Sequence, residues 1–248
     1  MLVRTRGHTL LVDTGPAWRG GDSGAMTVLP ALQASGVSLL DLLLITHPDN
    51  DHAGGAVSVL NGMSVGVVMA SGLNGVPGAI QCRRGMRWVW DGVEFRILHP
   101  RDAAGWSRNN ASCVLSIRSR GARVLLPGDI ESHAETTMLA RGDALAADLV
   151  VVPHHGSRTS SGAEWVNAVA ARYAVYTTGY RNRWGFPHPG VSGRWSHAGS
   201  CALNTAYTGQ LVFAADAGGS LRLRSVYKAG LLRPAAVRYR DLPGCAQG

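Results

Sequence analysis

The apolar run Leu42-Leu43-Leu44-Ile45 stops at Thr46 and gives way at once to His47-Pro48-Asp49-Asn50-Asp51-His52. A short apolar run bounded by polar residues reads as a buried strand, so two imidazoles and two carboxylates leave its end aimed at one point. Imidazole and carboxylate suit zinc, manganese and iron, and the absence of a nearby cysteine argues against a thiolate cage of the structural-zinc kind. A metal site at His47, Asp49, Asp51 and His52 is the first expectation. A polar surface loop is the plain alternative, and partner ligands elsewhere in the chain decide between the two.

Such partners stand at the ends of other strands. The pattern predicts a strand over 9–13 ending in Asp13, and hairpin strands over 112–119 and 122–126 running into Pro127-Gly128-Asp129. A further strand over 148–152 runs into Pro153-His154-His155-Gly156. Each aspartate alone could cap a turn or a helix, but the same kind of position is used four times. Further strands are expected over 65–69, 173–177, 210–214 and 220–226, and a hairpin over 87–90 and 93–98 turns on Asp91-Gly92. Helices are expected over 27–35, from Ala53 to about Leu60, over 130–140 and 163–171, and after His188. Strands alternating with helices and hairpins give a layered α/β sandwich.

With 248 residues, 46% of them hydrophobic, the chain can bury the core of one large domain, expected over 1–228 with a peripheral tail over 229–248. No apolar stretch approaches the length of a membrane span, about 18 residues, and Met-Leu-Val-Arg-Thr-Arg at the start lacks the apolar segment of a signal peptide. The chain is therefore expected to be soluble. Lys and Arg number 24 against 16 for Asp and Glu, a net charge of +8, which favours a polyanionic partner such as nucleic acid. Nearly all of that charge is arginine, with Arg172, Arg181, Arg183, Arg194, Arg222, Arg224, Arg233, Arg238 and Arg240 in the later part. Four cysteines, Cys82, Cys113, Cys201 and Cys245, allow up to two disulfides or free buried thiols.

The motif Thr46 to Gly55, together with Asp13, Asp129 and His154-His155, resembles the metallo-β-lactamase superfamily, with Asp49 where its second histidine stands. Leu11 to Pro16, Asn109 to Ser112, Leu126 to Glu131, Pro153 to Ser160, Asn182 to Pro189 and Asn204 to Gly209 are more specifically similar to the C-terminal domain of the ComEC DNA-internalisation competence family. The resemblance implies an αββα four-layer sandwich and a metal-dependent nuclease. Such a domain would act on DNA during uptake for natural transformation and degrade the non-transforming strand.

By that resemblance His47 and Asp49 hold one divalent ion and Asp51 and His52 a second, with Asp129 bridging. The ions would be Mn²⁺ or Zn²⁺. His154 is favoured over His155 to complete the second site, leaving the other, or His188, to protonate the leaving oxygen. Asp13 is expected to orient a ligating imidazole through its other nitrogen, and Asn110 and Ser112 occupy the place of a missing histidine motif. Ser157, Arg158, Thr159 and Ser160 are candidates to bind phosphate at the start of the following helix, and Arg183 to bind DNA.

The resemblance further implies a domain of an inner-membrane protein on the periplasmic or extracytoplasmic side. Its partners would be DNA and the channel portion of the parent protein, with no nucleotide cofactor, and the isolated domain would be a monomer. Two other functions compete: a non-catalytic module that guides DNA past a degenerate metal site, and a hydrolase of small esters, thioesters or lactams.

Overall fold

The apolar run at Leu42 lies in the central strand of a five-stranded sheet. In a computed structural model, which describes residues 1–72, 76, 78–102, 105–216, 218–227 and 245, the chain divides into two compact units, Met1–Leu115 and Ser116–Gly248. The first unit contains β1 (Leu2–Arg4), β2 (Thr9–Val12), the short pair β3 (Ala17–Trp18) and β4 (Gly21–Asp22), α1 (Leu29–Ala34) and β5 (Leu39–Ile45). It continues with α2 (Asn50–Ala53), α3 (Ala56–Gly62), β6 (Ser64–Ala70), β7 (Ile80–Gln81) and the hairpin β8 (Arg87–Trp90) and β9 (Val93–His99). The sheet order is β1-β2-β5-β6-β7. Only β1 runs antiparallel to its neighbour; β2, β5, β6 and β7 are parallel. A central parallel strand is covered on both faces, which is why β5 reads as a continuous apolar run.

Leu11, Leu32, Leu40, Leu43, Ile45, Ala56 and Val59 form the buried core of this unit, joining the helices to one face of the sheet. Asp91 and Gly92 both have positive φ, 52° and 80°, the backbone that a two-residue hairpin turn requires. The helix expected from Ala53 to about Leu60 is observed as α3, which starts at Ala56, and the separate short helix α2 precedes it. A Cβ at Gly55 would overlap the backbone of Gly24 and Thr14, and between the two helices the Gly55 N–H donates to Gly15 O at 3.0 Å instead of continuing the helical pattern.

Strand β10 (Val114–Arg118) carries the division between the units. The second unit continues with β11 (Arg123–Leu126), α4 (Ser132–Ala140), β12 (Leu149–Val151), α5 (Ala163–Val169), β13 (Tyr173–Tyr176), α6 (Pro189–His197), β14 (Cys201–Asn204), α7 (Thr205–Thr208), β15 (Gln210–Ala215) and β16 (Leu221–Tyr227). Strands β11, β12, β13 and β14 lie side by side and parallel. Tyr173 and Val175 pack with Leu149, Leu203 and Phe213 of the β15–β16 hairpin, while Ala174 and Tyr176 point to the opposite face by strand alternation. The buried indoles of Trp165 and Trp195 come from α5 and α6.

All four cysteines are in disulfides, Cys82–Cys113 in the first unit and Cys201–Cys245 in the second. Of the tail expected over 229–248 only Cys245 is described; Arg233, Arg238 and Arg240 lie outside the described residues. No helix among the described residues is long and apolar enough to cross a membrane.

Candidate metal centre

In the first unit, parallel pairing of β2 with β5 brings Asp13 and Thr46 to the same rim. The Asp13 carboxylate accepts from Thr46 N at 2.8 Å, from Thr46 Oγ1 at 2.9 Å and from His52 Nδ1 at 2.7 Å. Burial would raise its carboxyl, but the charge and hydrogen bond of His52, the Thr46 amide and His47 outweigh that and hold it below the ordinary aspartate value. Asp13 is thus an anion that accepts the Nδ1 proton of His52, so Nε2 is the ring nitrogen turned away from it. Its backbone sits at φ 58°, a left-handed conformation that aspartate tolerates better than most residues.

His47 is fully buried, with its ring centroid 4.1 Å from that of His52. His47 Nε2 lies 3.8 Å from Asp49 Oδ2, and His52 Nε2 lies 3.9 Å from Asp51 Oδ2. Asp49 also meets a group that the sequence reading missed, the Arg108 Nε at 2.6 Å from its Oδ1. Nothing in the spacing announces this pair, although Arg108 stands next to the Asn109-Asn110 segment. Asn110 donates to Ser107 Oγ at 3.0 Å, its carbonyl lies 2.7 Å from His99 Nε2, and Ser112 Oγ donates to Asn109 O at 2.7 Å. These bonds knit the segment together.

In the second unit the ligand candidates come from neighbouring parallel strands. Asp129 follows β11, His154 and His155 follow β12, and Thr177 follows β13, so all four leave one carboxyl-terminal rim. His155 Nδ1 donates to Thr177 O at 2.9 Å; a carbonyl only accepts, so the proton is on Nδ1 and Nε2 carries the lone pair. That Nε2 lies 3.6 Å from Asp129 Oδ2, and His154 Nε2 lies 3.9 Å from the same oxygen. His154 Nδ1 faces Glu131 Oε1 at 3.3 Å, and Thr159 Oγ1 donates to that oxygen at 2.7 Å. Glu131, two residues beyond Asp129, is the second group the sequence reading missed. His154 and His155 both have positive φ, 48° and 52°, an arrangement that costs roughly 1–3 kcal/mol per residue and persists only where the surroundings enforce it.

The remaining candidates fall around this rim. Ser157 and Ser160 are buried, and Ser160 Oγ donates to Pro153 O at 2.8 Å. Arg158 is exposed, and α5 begins only at Ala163 with Gly162 as its cap. The 157–160 segment is therefore a turn ahead of the helix, not its first turn. His188 is the N-cap of α6, its Nδ1 accepting from Gly190 N at 3.2 Å. Arg183 is exposed, its guanidinium 4.5 Å from the centre of the Trp184 ring.

Four imidazole Nε2 atoms thus lie 3.6–3.9 Å from a carboxylate oxygen of their own unit. That is too long for a hydrogen bond. It is near the separation of two ligand atoms that each sit roughly 2.1 Å from one tetrahedral ion, roughly 3.4 Å. The donors are nitrogen and oxygen throughout, since no described cysteine is free, and such a set fits Zn²⁺ or Mn²⁺.

A family model for the metallo-β-lactamase superfamily matches residues 1–179. The chain belongs to the metallo-β-lactamase superfamily. Members are typically metal-dependent hydrolases that bind divalent ions, usually two. The chain is 38% identical to competence protein ComA of Neisseria gonorrhoeae over 232 residues, covering 92% of this chain and 32% of that protein. It is 35% identical to recombination protein 2 of Haemophilus influenzae over 212 residues, covering 85% of this chain and 26% of that protein. The chain thus spans about a third or less of the length of these relatives. The metallo-β-lactamase fold protein YhfI of Bacillus subtilis superposes with a TM-score of 0.50 at 12% identity, over 82% of this chain and 86% of that one. The α/β sandwich class and the competence-family resemblance read from the sequence both hold.

Proposed function

We propose that this chain is a metal-dependent nuclease domain that hydrolyses DNA phosphodiesters during DNA uptake and degrades the non-transforming strand. The observation that carries the reading is the orientation of two imidazoles: His52 and His155 each have Nδ1 tied to an oxygen acceptor, which turns Nε2 toward Asp51 at 3.9 Å and Asp129 at 3.6 Å respectively. Asp51, His52, Asp129 and His155 each offer a ligand atom, and in this reading the first unit supplies Asp51 and His52, with His47 contributing Nε2, and the second supplies Asp129 and His155 as metal ligands. When bound, two divalent ions, Mn²⁺ or Zn²⁺, supply Lewis acidity to the attacking and leaving oxygens of a phosphodiester.

His155 takes the ligand role that the sequence favoured for His154. His154 instead holds a proton on Nε2 for the leaving oxygen, its Nδ1–H steadied by Glu131, as a general acid. Arg158 and Arg183 neutralise phosphate charge. Residues 1–228 act as one functional domain, a monomer in isolation, joined in the parent protein to its membrane channel portion. Two disulfides support the periplasmic or extracytoplasmic side, because disulfides persist in oxidising compartments.

One observation favours the guiding module: Arg108 already neutralises Asp49, one of the ligands expected from the sequence. Labelled single- and double-stranded DNA incubated with the chain and Mn²⁺, Mg²⁺ or Zn²⁺ separates the readings. Metal-dependent cleavage that drops more than about 100-fold in Asp129→Ala, with an unchanged thermal melt, is the expected result. Binding without turnover supports the guiding module, turnover of a lactam or thioester alone supports the small-molecule hydrolase, and undiminished cleavage by Asp129→Ala overturns the metal mechanism.

A further inference from the structure

Beyond the ligand rim of the second unit, three large rings stand out from the surface. Tyr180 is 66% exposed, Trp184 60% and Tyr207 69%. Folding normally hides such rings, and a cluster of them left in water marks a binding surface. Arginines alternate with them along the chain. Arg181 stands 5.3 Å from the centre of the Tyr180 ring and Arg183 4.5 Å from that of Trp184. From Trp165 to Ala215 the sequence contains no aspartate or glutamate, so every fixed charge on this stretch of chain is an arginine.

The backbone beneath the rings is held firmly. Asn182 donates through Nδ2 to Phe186 O at 2.7 Å and accepts from Phe186 N at 2.9 Å, closing the 182–186 loop on itself. Thr178 Oγ1 donates to Asn204 Oδ1 at 2.7 Å, and Asn204 caps α7, which carries Tyr207. Tyr207 is thereby set edge-on to Tyr180 with ring centres 6.3 Å apart. At the inner end the Phe186 ring lies 6.4 Å from Trp184 and 5.8 Å from His154. From exposed Trp184 the ring contacts thus run through Phe186 to a ligand-rim histidine, while Tyr180, four residues ahead of Trp184 in the same loop, pairs with Tyr207.

We infer that Tyr180, Trp184 and Tyr207, with Arg181 and Arg183, form a base-stacking platform that selects single-stranded DNA and leads it toward His154. This deepens the nuclease reading and rests on it for the identity of the polymer. In a duplex the base faces are covered by their neighbours; only a single strand can offer them to aromatic rings, and every base has such a face, so the platform is indifferent to sequence. The guanidinium groups meet the backbone phosphates between stacked bases.

The test is fluorescence anisotropy with a labelled oligothymidylate of about 20 nucleotides and a duplex of equal length, in EDTA and on an Asp129→Ala background so that nothing is cleaved. Tyr180→Ala, Trp184→Ala and Tyr207→Ala are each expected to weaken oligothymidylate binding roughly 5- to 100-fold, with Trp184→Phe restoring most of it and duplex affinity nearly constant. Unchanged oligothymidylate affinity, or equal losses on duplex and single strand, overturns the platform. So does a loss confined to phosphatidylglycerol vesicles, which would make the patch a membrane contact. If metal-dependent cleavage is absent while oligothymidylate binding still depends on these rings, the nuclease reading falls and the platform stands.

Discussion

The ligand sets of the two units are built by different means. In the first, one side chain organises the set: the Asp13 carboxylate binds Thr46 and His52, and His47 and His52 are sealed in the interior. In the second, the main chain does this work. Thr177 O holds His155, His154 N donates to Gly128 O at 3.2 Å, and two successive left-handed residues turn the imidazoles outward. A buried carboxylate hub concentrates the geometry in a single replaceable residue, whereas a backbone hub spreads it over strand ends that no one substitution removes.

The sharpest break in this comparison comes from the histidines themselves. His52→Ala and His155→Ala are each expected to lower metal affinity by more than about 100-fold, since each deletes a ligand atom. His154→Ala should keep its metal and lose roughly 100- to 10,000-fold in turnover, the range of a lost general acid. Elemental analysis beside a cleavage assay reads both quantities. Metal loss in His154→Ala with retention in His155→Ala would exchange the two roles.

The next test addresses the hubs. Asp13→Ala should cost roughly 10- to 100-fold in metal affinity, the usual effect of removing the carboxylate behind a ligating imidazole. Thr177→Ala leaves the carbonyl that holds His155 in place, so titration calorimetry should find its affinity within about threefold of the parent. Equal losses in the two variants would show that Thr177 Oγ1, 3.1 Å from His155 Nδ1, is as important as the main chain.

What the sequence disclosed and what it hid follow the same division. Strand β5 was legible because a central parallel strand must be apolar on both faces. The Asp91-Gly92 turn was legible because few residue pairs accept two positive φ angles. The ligand-bearing strand ends were legible because polar side chains interrupt apolar runs abruptly. By contrast, between α2 and α3 the Gly55 N–H is taken by Gly15 O from a distant part of the chain, and local pattern carries no trace of that. The Arg108–Asp49 pair and the disulfide partners of Cys82 and Cys201 are likewise set by tertiary proximity. The two-residue strands β3, β4 and β7 are too short for any alternation to register.

A third prediction concerns the loop that follows the His154-His155 turn. The buried Glu135 accepts from Ser161 N at 2.6 Å and Gly162 N at 3.0 Å, while Arg194 Nε and Nη2 donate to the carbonyls of Ser161 and Ser160 and Trp195 Nε1 donates to Ser161 Oγ. Burial pushes the Glu135 carboxyl up to about 7, with Glu131 adding to the rise, against the pull of the two amides and of Arg194. Its folded value lies above its ordinary 4.5, so the folded state binds this proton more tightly than the unfolded one. Stability is then fullest below about pH 4.5 and is lost as pH climbs through about 7, by on the order of 3 kcal/mol. Denaturant melts across that window should show the slope, and Glu135→Gln should flatten it. An unchanged slope in that variant removes Glu135 from the account.

The smallest effect separates structural from functional roles in the first unit. The Arg108 side chain is 70% exposed and that of Asp49 30%, so their ion pair is screened by water and worth no more than about 1 kcal/mol. Arg108→Ala should therefore shift a denaturation midpoint only slightly. Its consequence for ligation is the informative part. The guanidinium lies 2.6 Å from Asp49 Oδ1, and a cation so close competes with a metal ion for the carboxylate. If Asp49 is a ligand restrained by Arg108, the substitution raises Mn²⁺ affinity a few-fold by calorimetry; the repulsion relieved is of the size of an exposed charge pair. If Asp49 serves only the ion pair, affinity stays put, and the first unit supplies its metal through His47, Asp51 and His52 without it.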